Sequence, residues 1–212
     1  STLRALATSE HLDTGDLKAF YEQAQRVLKS HQGWNTINLS DLSGQQLLNL
    51  FRPFGAPLPA SENLPVIRHT LDTGEPSISN LFYGPVSKAP IIGITVPVMR
   101  EGTLRYVLGA GLDVAALSRL LAESKLPPDW NATILDRHGI ILARTHDIDQ
   151  WLGKPAAPAL VTQSRQSEEG AFRTTRRDDG VAVYGTYARS RLSGWTVGLT
   201  VPAAIVEAPA RI

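Results

Sequence analysis

Cysteine is absent from the 212 residues. This excludes a disulfide framework, a thiolate zinc site and a cysteine nucleophile, and it leaves the redox compartment open. Charge of one sign is lacking too. Lys and Arg total 21 against 20 Asp and Glu, for a formal net charge of +1, so nothing calls for nucleic acid or another polyanion as partner. The densest basic stretch, "RTTRRDD" at 173–179, carries its own acids and reads as a solvated turn. No uninterrupted apolar run approaches the roughly 20 residues that span a bilayer, and no signal-peptide pattern is present.

Signatures of catalysis are missing as well. There is no Gly-x-Ser-x-Gly elbow, no Walker loop and no Gly-x-Gly-x-x-Gly after a strand. "GAG" at 109–111 falls inside a strand and is not a phosphate cradle. His11, His31, His69, His138 and His146 form no pair with metal-ligand spacing. In "THDID", Asp147 and Asp149 stand near enough to share a cation but lack the longer acidic loop of calcium sites. No enzyme chemistry, no metal and no cofactor is therefore expected.

What is present is the composition of an ordinary globular protein, 42% hydrophobic and 19% charged. The chain begins inside a helix-like segment, "STLRALATSEHL", and ends on "VPAAIVEAPARI" without a closing element. These ends suggest a domain of a longer protein, with any membrane anchor outside this sequence.

Beyond Gly15, Leu17, Phe20, Tyr21, Ala24, Val27 and Leu28 fall on one stripe and predict an amphipathic helix capped by Thr14 or Asp16 and ending near Gly33. Strand (34–40), tight turn (41–44) and strand (45–51) follow. In the turn an Asp side chain bonds to backbone N–H groups and a Gly three residues on supplies positive φ. "RPFGAPLP" is a loop, "NLPVIRHTLDTG" a short helix closed by Gly74, and "PIIGITVPVM" and "LRYVLGAGLD" a long hairpin turning at 100–103. Asp113 caps a helix that ends before Pro127.

From Asp129 the order returns: a hairpin over 130–144, a Pro-rich loop to Pro158, a helix near 160–167, a strand from Gly170, and a closing hairpin of "VAVYGTYARS" and "GWTVGLTVP". Asp41 and Gly44 recur as Asp136 and Gly139, displaced by 95 residues in each case. Constant element order with drifting offsets indicates a duplicated unit. The expected architecture is α+β: two tandem PAS-like antiparallel-sheet subdomains with an N-terminal amphipathic helical segment, divided 1–32, 33–126 and 127–212.

Loops of the first copy carry Arg52, Arg68, His69, Phe82, Tyr83 and Lys88. Fixed cations among aromatics over a concave sheet suit a small organic anion such as a carboxylate. The candidate ligand-binding set is Arg52, His69, Phe82, Tyr83, Lys88 and Thr95. Glycines inside "IIGITVPV" and "YVLGAGL" mark either close packing against a helix or room for a ligand. The loops of the second copy look blander, so the first copy is the expected sensor.

The order of elements, carried by "GWNTINLSDLSGQQLLN", "RPFGAPLP", "TGEPSISNLFYGPVSKAPIIGITVPV", "LPPDWNATILDRHGIILAR" and "LSGWTVGLTVPAAIVEAP", resembles the double Cache (dCache) extracellular sensor domain of bacterial transmembrane receptors. Sensor histidine kinases are the nearest look, with chemoreceptors and diguanylate cyclases as other hosts. The resemblance implies a membrane-distal first copy that binds a small molecule, a membrane-proximal second copy, and a periplasmic location. It also implies a parallel homodimer through the N-terminal helix, of which residues 1–12 would be a remnant. "AIVEAPARI" would lead back to the membrane. A ligand-free structural or protein-interaction module is the competing reading. Amino-acid-binding members carry Arg-x-Trp before the mid-domain helix and an Asp after the last strand's glycine. Here "ENLPVIRH" has no tryptophan and Gly111 follows Ala110, which argues against an α-amino acid.

Overall fold

Short helices open the chain, the second of them closed by Gly15 at φ +73°. In the computed structural model, which describes residues 2–61 and 63–208, α1 (Thr2–Leu6) and α2 (Glu10–Thr14) precede α3 (Leu17–Ser30). Residues 1–12 are thus two short helical pieces and not one, with Ser1 outside the described residues. Of the two expected caps it is Asp16 that acts, its carboxylate accepting from Ala19 N at 2.9 Å. Phe20, Tyr21 and Ala24 are the buried stripe of α3.

The first sheet contains β1 (Trp34–Ser40) and β2 (Gln46–Asn49). After α4 (Pro65–Thr73) come β3 (Ser77–Ile78), β4 (Phe82–Tyr83), β5 (Pro90–Arg100) and β6 (Thr103–Leu112), then α5 (Val114–Glu123). The strand order is β2-β1-β6-β5-β3, with β4 also paired to β5. The β5–β6 hairpin turns through two residues, Glu101 and Gly102, both at positive φ, which matches the right-handed twist of the strands. Side chains alternate across these strands. Ile37, Leu39, Val96, Val98, Leu108 and Ala110 share one core with Leu3, Leu6, Leu12, Phe20 and Ala24. The other face meets α4, where Val66 and Ile67 pack with Val107.

The second sheet repeats the plan. β7 (Asn131–Leu135), β8 (Ile141–Arg144), α6 (Ile148–Trp151), α7 (Pro158–Gln166), β9 (Glu169–Thr175), β10 (Ala182–Arg189), β11 (Thr196–Pro202) and α8 (Ala203–Val206) follow in sequence. The order is β8-β7-β11-β10-β9. In both sheets the last strand of the unit lies beside its first. The fold is therefore two PAS-like α+β sheets in tandem. The chain divides into compact units at residues 1–116 and 117–212, the boundary falling inside α5. Helices α1–α3 belong to the first unit. The end of "AIVEAPARI", residues 209–212, lies outside the described residues.

The duplication reaches individual atoms. Asp41 Oδ1 accepts from Ser43 N (2.9 Å) and Gln45 N (3.0 Å), and Asp136 Oδ1 accepts from His138 N (2.8 Å) and Ile140 N (3.0 Å). Gly44 and Gly139 sit at φ +83° and +82°. A register shift occurs at Leu39/Ser40 and again at Ile134/Leu135. Each carboxylate satisfies two turn N–H groups, so Asp136→Ala is expected to cost about 2 kcal/mol, and Asp41→Ala, on the more exposed turn, about 1 kcal/mol. Urea denaturation checks the order of the two.

Candidate functional site

The face of the first sheet away from α1–α3 is where polar side chains go underground. On β1 the period of two that sends Ile37 and Leu39 into the core sends Thr36, Asn38 and Ser40 the other way. Thr36 is only 2% exposed and Ser40 is fully buried. Odd-numbered residues of β5 and β6 share this face: Ile91, Gly93, Thr95 and Gly109. Over them lie α4, through Leu64, Val66 and Ile67, and the segment 82–87, through Phe82, Pro85, Val86 and Ser87. Between sheet and cover is a cavity of about 50 Å³, measured as the space open to the centre of a water-sized sphere. One water occupies about 10–15 Å³ by that measure, so the space is a few waters deep.

Most of its polar groups are already paired. Thr36 Oγ1 donates to Asn49 Oδ1 (2.8 Å), Asn49 Nδ2 to Gln46 Oε1 (2.8 Å), and Gln46 Nε2 to Ser61 Oγ (2.5 Å). Thr36, Asn49, Gln46 and Ser61 are all buried. Phe51 N adds a second donor to Asn49 Oδ1 at 3.1 Å. This chain fixes one wall. On the opposite wall Thr95 Oγ1 donates to Val66 O (3.1 Å), which leaves Thr70 Oγ1 to donate to Thr95 (2.8 Å). Thr95 thus fastens β5 to α4 and has little hydrogen-bonding capacity left.

Asn38 is different. Its half-buried amide lines the cavity and makes no side-chain hydrogen bond among the described residues. It lies over its cross-strand partner Gly109, where an added Cβ would come within 2.6 Å of Asn38 Oδ1. The glycine is the space in which the amide rests. An amide offers two donors and an acceptor, and here they face a cavity and not a protein partner.

Among the described residues the cavity lining contains no Asp, Glu, Lys, Arg or His. Of the residues expected from sequence, Phe82 and Thr95 line it and four do not. Arg52 is exposed in its loop, where its backbone carbonyl accepts from Tyr21 Oη at 2.8 Å. His69 lies on the outer side of α4, whose Val66, Ile67 and Thr70 face inward; Arg68 is exposed as well and pairs with Asp72 at 3.7 Å. Tyr83 neighbours Phe82 on a strand, so it points the opposite way and is 66% exposed. Lys88 occupies a tight turn at φ +54°, with its N–H bonded to Gly84 O, and is exposed. Sequence reasoning favoured charged and aromatic loop residues and missed Thr36, Asn38, Gln46, Asn49 and Ser61. The signal was there: a strand with apolar residues at 37 and 39 and polar ones at 36, 38 and 40.

Gly111 is closed to any side chain. A Cβ there would meet Ile91 Cδ1 at 2.5 Å, Asn35 Oδ1 at 2.6 Å and Thr36 Cγ2 at 2.9 Å. Among the described residues no group of His, Cys, Asp or Glu is placed to hold a metal, and no helix is long and apolar enough to cross a membrane.

No protein-family model matches the chain, and no curated protein matches it by sequence. Solved structures do. The extracellular domain of rpHK1S-Z16, a protein assigned as a histidine kinase, superposes with a TM-score of 0.75 at 15% identity, covering 98% of this chain and 94% of that one. The ligand-binding domain of the Pseudomonas aeruginosa amino-acid chemoreceptor PctB, solved with L-Arg, gives 0.73 at 18% identity over 97% and 86%. That of the Campylobacter jejuni chemoreceptor Tlp3, solved with 4-methylisoleucine, gives 0.65 at 14% over 98% and 79%. The chain shares its fold with these extracellular and ligand-binding domains, as the sequence resemblance led one to expect.

Proposed function

We propose that this chain is the extracytoplasmic sensing portion of a membrane-bound signalling receptor, and that its first unit takes a small uncharged polar molecule. The observation that carries this reading is the Asn38 amide, without a hydrogen-bonding partner among the described residues, on the wall of a cavity whose Thr36, Asn49, Gln46 and Ser61 side chains are bonded to one another. A sensor histidine kinase is the favoured host, because the likeness to rpHK1S-Z16 runs nearly end to end in both chains; a chemoreceptor or diguanylate cyclase is the alternative. The catalytic output, the membrane anchors and a periplasmic address belong to the whole receptor in this reading, and α1–α3 supply the face of a parallel homodimer. The first unit would be the membrane-distal one.

PctB and Tlp3 were solved with amino acids. Holding an ammonium and a carboxylate out of water needs opposite charges in the wall, and the described residues of this cavity supply none. The carboxylate suggested by Arg52 and Lys88 loses its support here for the same reason. A ligand of more than a few heavy atoms also needs the segment 82–87 to move, a segment fixed to β5 through the pairs Phe82–Ile91 and Tyr83–Pro90.

Signalling follows from alternation. Asn38 faces the cavity, while its chain neighbours Ile37 and Leu39 lie in the core that contains Phe20 and Ala24 of α3. A ligand that pulls on β1 therefore acts on the helix behind it, and it shifts the receptor to the extent that it binds one packing better than the other.

A thermal-shift screen of neutral amides, polyols and nucleobases tests the reading. A ligand at 100 times its Kd should add about 2.7 kcal/mol to stability. Asn38→Ala should weaken that ligand about tenfold or more while changing unliganded stability by less than about 0.5 kcal/mol, since no protein hydrogen bond is lost. The small volume, about 50 Å³, favours the rival reading of a ligand-free module, and a screen that leaves the melting point unmoved would support that rival.

A further inference from the structure

The equivalent face of the second sheet is also hollow, and its chemistry is the opposite of the first. A cavity of about 70 Å³, by the same measure, is lined by Asn131 and Thr133 of β7, the counterparts of Thr36 and Asn38. Its floor and cover are apolar: Ile141, Leu160, Phe172 and Val183. Its charged residues are Arg144, Arg176, Arg177 and Asp178, three cations against one carboxylate.

Arg144 stands out among them. It ends β8, and its side chain is 7% exposed. The guanidinium carbon lies 5.0 Å from the centroid of the Trp151 ring, a contact that holds a cation by the ring quadrupole. Among the described residues its hydrogen-bonding partner is the Asp178 carboxylate, reached through Nη2. One carboxylate oxygen leaves most of a guanidinium's donors unused, and a buried cation with a single partner is costly unless something else completes it.

Asp178 is the more exposed partner of the pair. It sits at the tip of the β9–β10 hairpin, with its side chain 28% exposed. The turn does not depend on it. Asp179 accepts from Val181 N (3.0 Å) and pairs with Arg176 (2.6 Å), contacts that keep its carboxyl below the usual range. Arg176 donates to Asp129 O (3.1 Å) and Arg177 to Pro155 O (3.2 Å). With the turn held by these neighbours, rotation of the Asp178 side chain would break its bond to Arg144 and leave the Asp179, Arg176 and Arg177 contacts in place.

We infer that the second unit binds a short monocarboxylate in this cavity, with Arg144 as its anchor and Asp178 as a resident carboxylate that the ligand displaces. A chain of two to four carbons suits the apolar walls, and Thr133, which makes no side-chain hydrogen bond among the described residues, stands ready for a hydroxyl or keto oxygen. Bidentate pairing of a free carboxylate with the guanidinium offers two hydrogen bonds where Asp178 makes one. The site is independent of the first unit's ligand.

The test uses acetate, propionate, L-lactate and pyruvate at millimolar concentrations on the 212-residue protein, read by tryptophan fluorescence and by calorimetric titration. One or more should change the emission of Trp151, the residue stacked on Arg144, and Trp151→Phe should abolish that change. Asp178→Asn removes the competing charge and should tighten binding about tenfold. Arg144→Gln should abolish binding, and Asn38→Ala should leave it unaltered, which separates this site from the one in the first unit. Since Arg144→Gln risks misfolding, Asp178→Asn is the deciding variant. No response to any of the four acids in wild type and in Asp178→Asn alike overturns the inference, and so does an affinity that Asp178→Asn weakens.

Discussion

Gly111→Asp should destabilise the protein by about 3–5 kcal/mol and confer no affinity for an α-amino acid. The substitution writes into this chain the acidic residue that the sequence resemblance implies for amino-acid-binding relatives after this strand's glycine and alanine. The site has no room for it. Ile91, Asn35 and Thr36 already occupy the position of the first side-chain carbon, at 2.5–2.9 Å. Asn35 Oδ1 is itself buried without a partner, so an added carboxylate would face an acceptor and not a donor. Gly111→Ala isolates the steric part and should cost about 1–3 kcal/mol. Urea denaturation measures both losses, and titration with L-alanine and L-arginine checks for binding. A Gly111→Asp protein as stable as wild type would mean that this wall is softer than its contacts imply.

Phe20→Ala is the other large effect. Phe20 is completely buried in the core that joins α3 to the first sheet, alongside Ala24, Ile37, Leu39 and Val98, all of them also completely buried. Truncating such a ring leaves a cavity behind as well as losing its transfer energy, at a cost of about 3–5 kcal/mol. Phe20→Leu retains most of the volume and should lose less than about 1.5 kcal/mol. The pair also probes signalling. In the receptor proposed above, Phe20→Leu should weaken the coupling of ligand to output more than it weakens ligand affinity, because Phe20 lies on the helix side of β1 and Asn38 on the cavity side. Equal losses in affinity and in output would argue against transmission through this face.

The duplication was legible because its marker is local. Asp-x-x-Gly closes a turn with its own side chain and one positive φ, and both copies of the turn keep the same bonds. Helix α3 was legible from its stripe, and the β5–β6 hairpin from a long β-branched run before Glu101-Gly102 and a largely apolar one after it. The site was not. Its lining comes from β1, β2, β5, β6, α4 and the segment 82–87, brought together by pairings such as Asn38–Gly109 that span some seventy residues. Strands β3 and β4 are two residues long, too short for any periodicity. Polar residues alternating along β1 read as a solvent face until a helix and a loop are seen to cover them. Charge misled in the same way. Arg52 and Lys88 suggested a cationic first copy, yet the buried cation among the described residues is Arg144, which the sequence shows only as the end of an apolar run, "IILAR". A charged residue closing a strand reads equally as an exit to water or as a cavity wall, and only the packing of Trp151 and Asp178 around it decides.

The most direct measurement of the central claim is an amide proton–nitrogen correlation spectrum of the protein titrated with whichever neutral compound raises its melting point. The account predicts that the side-chain amide of Asn38 shifts most, together with the backbone amides of Thr36, Gly93 and Gly109, and that Asn38→Ala removes the response. Stabilisation by a compound that leaves the Asn38 amide unmoved, or that survives Asn38→Ala with unchanged affinity, would contradict it.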